Sequence, residues 1–129
     1  MKTLRTEIAE LSYDEEEHLL YIRILENAEL DLEKTRIHYE TIRELTEDEP
    51  HAAIIDSTHY FSIDPETLRY TAQPEVIGKR LAAAHYNVSA GNSLTLDFFV
   101  KTHKPLIPVK KFATREEAVK WARQFMRKR

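Results

Sequence analysis

His51-Ala52-Ala53-Ile54-Ile55-Asp56 is a short apolar run, and Glu47-Asp48-Glu49-Pro50 just before it ends any helix arriving from the N-terminal side. A run this brief and this uniformly apolar marks a central strand buried on both faces. Such a strand needs a neighbour on each side, so the flanking segments decide the architecture.

Toward the N-terminus, Asp31 can cap a helix running to about Glu47, with Ile37, Ile42 and Leu45 as its buried stripe and Leu30 and Tyr39 at the margins. Its other face carries Glu33, Lys34, Arg36, Glu40, Arg43 and Glu44, which belong in water. Before it, Thr6–Tyr13 and His18–Glu26 alternate as two strands, the second with Leu20, Ile22 and Ile24 on one face. The acids Asp14 to Glu17 between them form the turn of an antiparallel hairpin. They lack the fixed oxygen spacing and tight glycine turn of a calcium loop.

Toward the C-terminus, Ser57 to Ile63 is a loop. Asp64-Pro65-Glu66-Thr67 then opens a helix, with an acceptor at the cap, proline in the first position and an acid in the first turn. That helix is expected to run to about Ala72 and to be broken by Pro74. Arg80 to Asn87 is alanine-rich and helical by propensity, but the alternating rhythm of the chain makes it a strand. Ser89 to about Thr102 is the next helix, with Leu94, Phe98 and Lys101 on one face and Leu96, Phe99 and Val100 beside it. Lys104-Pro105-Leu106-Ile107-Pro108 leads into the strand Val109-Lys110-Lys111-Phe112. Thr114-Arg115-Glu116-Glu117 is a capping box, followed by a stripe of Ala118, Trp121, Ala122 and Phe125. Full burial of that stripe would make Trp121→Ala cost about 3–5 kcal/mol.

The expected fold is therefore α/β in one domain over residues 1–129, its core at about 6–126. Its sheet is mixed and mostly parallel, with an N-terminal antiparallel hairpin and about four helices.

Composition narrows the chemistry. The 129 residues include no cysteine, which excludes disulfides, thiolate metal sites and cysteine nucleophiles. Gly78 and Gly91 are the only glycines, too few for a phosphate-cradling loop. The six histidines, at 18, 38, 51, 59, 85 and 103, show no metal-ligand spacing, so neither metal nor cofactor is expected. His51 and His85 fall in neighbouring strands and could approach each other. No apolar run has the length of a membrane span, and no leader pattern opens the chain, which points to the cytoplasm. The net charge of -3 hides an asymmetry: residues 1–50 hold six basic against fifteen acidic residues, the remainder thirteen against seven. The basic run ending in Arg127-Lys128-Arg129 suits the C-terminal end of a last helix and implies no specific nucleic acid.

The strand ending Ala53-Ile54-Ile55-Asp56, the helix start at Asp64, and the closing Lys104-to-Phe112 run with Thr114-to-Trp121 resemble the bacterial STAS-like proteins of SpoIIAA-like fold. That resemblance implies a regulatory, protein-interaction module. In anti-sigma-factor antagonists the helix start carries an aspartate, two serines and a glycine, and one serine is phosphorylated to switch partners. Here Asp64 is kept, Pro65 and Glu66 stand at the serine positions, and no glycine follows, so the usual phosphoserine switch is not expected. Thr67 is the nearest hydroxyl and Glu66 could imitate a fixed negative charge, but both read first as ordinary residues of a helix's first turn.

Asp56-Ser57-Thr58-His59 gathers an acid, two hydroxyls and an imidazole at the end of a central strand, where ligands of parallel sheets bind. Adjacent residues there point in different directions, and turn hydroxyls usually bond backbone, so catalysis by Ser57 and His59 ranks below binding. The expected function is a non-catalytic module with a protein partner. Its surface is Asp56, Ser57, Thr58, His59, Tyr60, Phe61, Asp64, Glu66 and Thr67, with Leu94, Phe98 and Phe99 of the later helix. The alternative is a small apolar molecule or lipid in a pocket beside the Ser89–Thr102 helix, drawing also on Tyr70. The more ordinary use of the same side chains is to fill the core or a homodimer interface.

Overall fold

The computed structural model describes residues 1–127, so Lys128 and Arg129 at the end of the basic run lie outside the described residues. Eight strands and five helices follow one another as β1 (Lys2–Arg5), β2 (Ala9–Asp14), β3 (Leu19–Ile24), β4 (Glu29–Leu30), α1 (Leu32–Thr46), β5 (His51–Asp56), β6 (Ser62–Ile63), α2 (Pro65–Thr71), α3 (Pro74–Ile77), β7 (Arg80–Tyr86), α4 (Ala90–His103), β8 (Val109–Phe112) and α5 (Arg115–Arg127). Six strands form one sheet in the order β1-β2-β3-β5-β7-β8. The pairs β1–β2 and β2–β3 are antiparallel, and the three pairs from β3 to β8 are parallel. A parallel two-strand patch, β4–β6, lies apart from it. The expected mixed sheet and hairpin are present; β1, the patch and a fifth helix were not foreseen.

The fifth helix comes from Pro74. Proline ends α2 as expected but then occupies the first position of α3, where its fixed φ and missing N–H are no handicap.

β5 sits between β3 and β7 with His51 to Ile55 all buried. The sheet therefore has two covered faces. Leu11, Leu20, Ile22, Ala53, Ile55 and Ala83 pack with Ile42 and Leu45 of α1. Leu19, Ala52, Ile54 and Ala84 pack with Ala118 and Ala122 of α5. Among the described residues, no helix is long and apolar enough to cross a membrane.

Local signals explain the boundaries. Asp31 accepts from Lys34 N at 2.8 Å, Asp64 from Thr67 N at 2.8 Å, and Ser89 from Asn92 N at 3.3 Å, each closing an otherwise open first turn. Thr114 Oγ1 accepts from Glu117 N, while the Glu117 carboxylate takes the Thr114 hydroxyl rather than its backbone N–H. At the hairpin turn the Asp14 carboxylate accepts from the backbone of Glu16 and Glu17. Glu17 in turn receives Arg123 of α5 by two bonds of 2.7 and 3.1 Å, so the early acids and late bases meet across the fold.

Two helix faces differ from expectation. The buried stripe of α1 is Thr35, His38, Ile42, Leu45 and Thr46, and Ile37 is 42% exposed, because the 3–4–3 spacing from Thr35 passes Ile37 by one step. On α4, Leu94 and Phe98 face solvent and Asn92 is the buried residue. Trp121 is only half-buried between Phe112 and Phe125, at 5.4 and 4.8 Å between ring centroids, which lowers the expected cost of its removal to about 2 kcal/mol.

Candidate functional site

A cavity of about 170 Å³ lies on the α1 side of the sheet, bordered by β3, β5 and β7 below and by α1, α2, α3 and α4 around it. Most of its wall is aliphatic and aromatic, with Ile22, Ile55, Leu68, Leu96 and Phe99 among the contributors. Thr71 of α2 and Asn92 and Thr95 of α4 supply part of its polar wall. The displaced stripe of α1 delivers Thr35 and His38, the end of β5 delivers Ser57, and β7 delivers Arg80 and His85.

Arg80 reaches this face through an irregularity. Pairing between β5 and β7 shifts at His51/Ala52, so that His51 faces Arg80 while Ala52 faces Ala82. Without the extra residue, strict alternation would send Arg80 to the opposite face from Ala83 and His85; the bulge turns it to the same side. Its guanidinium stacks over the Tyr39 ring, 5.6 Å from the centroid. It is 9% exposed, and its Nε and Nη2 have no hydrogen-bond partner. Among the described residues no Asp, Glu or Lys side chain borders the cavity, and Arg80 is the one formal charge on its wall.

The imidazoles around it are neutral. Burial pushes His38 and His85 down to about 3 and His51 down to about 4, and in each case the Arg80 charge adds to the effect. His85 Nδ1 lies 3.1 Å from Ser57 Oγ, and His51 Nδ1 lies 2.9 Å from the Glu49 carbonyl. Thr35 Oγ1 and His38 Nδ1 are buried without a partner.

Asn92 anchors α4 beside the cavity. Its Nδ2 donates to the carbonyls of Ser57 (2.9 Å) and His59 (2.8 Å), and its Oδ1 accepts from Phe61 N. One side chain thereby fixes the loop after β5 to the first turn of α4.

The twelve residues named from sequence separate. Ser57, Phe61 and Phe99 border the cavity. Asp56 accepts from the backbone and hydroxyl of Thr58, a local turn, and His59 contributes its carbonyl to Asn92. Ser57 thus meets the imidazole of His85 rather than that of His59. Tyr60, Leu94 and Phe98 are exposed at 58, 73 and 56%. Glu66 is exposed, and Asp64 is the cap of α2, its carboxyl held below the usual range by hydrogen bonds from the backbone and hydroxyl of Thr67. Thr67 is fully buried with its hydroxyl on Asp64 Oδ2, so a modifying enzyme would have to open α2 to reach it. His51 and His85 lie on neighbouring strands but pair with Arg80 and Ile55, not with each other. Among the described residues, no group of three His, Cys, Asp or Glu side chains is placed to hold a metal ion.

Sequence reasoning missed Thr35, His38, Arg80, His85 and Asn92. The spacing of Thr35 and His38 with Ile42 and Leu45 was readable, and Arg80 and His85 stand out as polar residues bracketing an apolar strand. Asn92 carried no signal.

Residues 13–126 match the model of a domain of unknown function, DUF7793. The chain belongs to the DUF7793 family. The matched span begins at Tyr13 near the end of β2 and runs into α5, and it holds every polar residue of the cavity wall. No curated protein sequence matches the chain. The buried arginine, the Asn92 anchor and, apart from Ile8, the residues that line the cavity thus fall in the part of this DUF7793 chain that the family model covers.

Proposed function

We propose that this DUF7793 chain is a non-catalytic binding domain, working in the cytoplasm, whose ligand is a small and largely apolar molecule held in the cavity between the sheet and α4. The observation that carries the reading is the cavity itself. About 170 Å³ behind an aliphatic and aromatic wall is comparable to engineered apolar cavities that take up benzene. Ser57 and His85 touch, but an imidazole pushed down to about 3 is a poor base near neutral pH, which favours binding over hydrolysis. Native mass spectrometry of freshly purified protein tests the reading: a retained small-molecule adduct is expected, and its loss on Phe99→Ala would tie it to the cavity. A clean monomer that takes up no apolar probe on titration would sink it.

A second reading rests on Tyr60, Leu94 and Phe98, large side chains left exposed around the start and outer face of α4. It is the STAS-like one, in which the domain acts through a protein partner or a second copy. The order of strands and helices and the capped helix at Asp64 support that likeness. Sedimentation of wild type against a Leu94→Glu, Phe98→Glu variant decides it. A concentration-dependent dimer abolished by the substitutions supports the surface, and a monomer that captures no protein partner removes it.

A further inference from the structure

We propose that the ligand carries one carboxylate, which the guanidinium of Arg80 holds against the cavity wall. The inference rests on the cavity being a binding site and adds the class of molecule that it takes.

A buried guanidinium is costly unless its N–H groups and its charge are met. The Tyr39 ring lies 5.6 Å from Arg80 Cζ and supplies a cation–π contact, which leaves the guanidinium N–H groups still to be met. The two nitrogens without partners, Nε and Nη2, share one edge. Their N–H bonds are parallel and spaced to fit the two oxygens of one carboxylate, the side-on bidentate pair. The orphaned atoms are therefore a matched set, and no acid of this chain pairs with them among the described residues.

The surroundings select against other ligands. A cation would meet Arg80 with no acid on the wall to offset it. A wholly apolar molecule would fill the volume and leave the guanidinium unmet. A molecule with an aromatic or short aliphatic body and one carboxylate satisfies both parts of the wall. Thr35 Oγ1 and His38 Nδ1, also buried and without partners, are further polar groups from residues of the same wall.

The test compares acids with their neutral isosteres on the full chain: benzoate with benzamide, and hexanoate with hexanamide, by calorimetric titration. A charge-assisted bidentate contact predicts that each acid binds on the order of ten- to a hundredfold more tightly than its amide, a preference that Arg80→Met abolishes. The Arg80 Nε–H resonance of the wild type gives a reading that does not depend on the variant folding, and it is expected to move downfield with benzoate but not with benzamide. Equal affinity of acid and amide, or an Arg80 resonance indifferent to benzoate, overturns the carboxylate inference and leaves apolar binding standing. If neither acid nor amide binds, the cavity reading falls and takes this inference with it.

Discussion

On the α5 side of the sheet, Ala52 and Ala84 meet Ala118 and Ala122, all fully buried. On the α1 side, one residue back along β7, Ala83 looks instead into a space bounded by histidines, an arginine and a helix anchored by one asparagine. Small residues on both partners let a helix rest directly on a sheet, and close packing follows with no polar atom to satisfy. The other face is packed where Ile42 and Leu45 of α1 meet Leu11, Leu20 and Ile22, and beside that packed part it keeps buried polar groups that cost stability when unmet. Both faces secure the fold, and the second also carries the groups a ligand could use.

The largest effect that would expose this division is acid. His38 and His85 on the open face and His51 beside them titrate at about 3, 3 and 4, below the ordinary 6.5. As pH falls below about 6.5 the unfolded chain takes up protons that the folded chain refuses, so the stability present above that pH is lost progressively down to about 3–4. Each histidine contributes a slope of about 1.4 kcal/mol per pH unit, and the three together about 4. Urea unfolding at pH 7, 6 and 5 should show that decline, and His38→Gln should flatten it by about a third. A midpoint independent of pH would mean that these imidazoles are not sealed from water.

Next in size is a contrast between adjacent residues. Ala84→Leu forces a side chain between β7 and α5 and should cost about 3 kcal/mol. Ala83→Leu projects into the cavity and should change stability by less than about 1 kcal/mol, while displacing any bound ligand. Denaturant midpoints of the two variants measure the difference. Equal losses would mean that the open face is as tightly packed as the closed one.

The division was only half legible beforehand. Caps at Asp31, Asp64, Ser89 and Thr114 act within one turn of chain, so sequence reveals them, and they set four of the five helices. The alanines of β7 favour helix by propensity, yet burial on both faces overrides that preference, and the alternating order of elements was the better guide. The cavity depends on relations that no local pattern holds. Arg80 turns inward because β5 and β7 pair with a shift, and Asn92 matters because three backbone groups, 31 to 35 residues away in the chain, come within its reach. Ile37 was preferred over His38 because an aliphatic residue is the usual occupant of a buried stripe, whereas here the stripe serves a polar-lined space.

The anchor of α4 gives a smaller effect than core overpacking. Asn92→Ala removes three hydrogen bonds and leaves the His59 carbonyl and the Phe61 N–H unmet, while the Ser57 carbonyl keeps its bond from Ser89 N, for about 2 kcal/mol. The loss should be local. Amide exchange is expected to quicken through α4 and residues 57–61 while β5 and α5 keep their protection. Uniform loss of protection would show that the open face is not separable from the closed one.

Smallest is the neighbouring substitution, Gly91→Ala. A Cβ there would come within 2.6 Å of Tyr60 Cδ1 and 2.7 Å of Cε1, so the ring must move. Tyr60 is 58% exposed and can swing into solvent, and alanine improves the helix by up to about 1 kcal/mol, less in its first turn. The two effects nearly cancel, and the melting temperature should stay within a few degrees of wild type while the Tyr60 ring resonances shift. If Gly91→Ala were instead as damaging as Asn92→Ala, the Tyr60 ring would be a second clamp on α4, and the open face would be held from outside as well as from within.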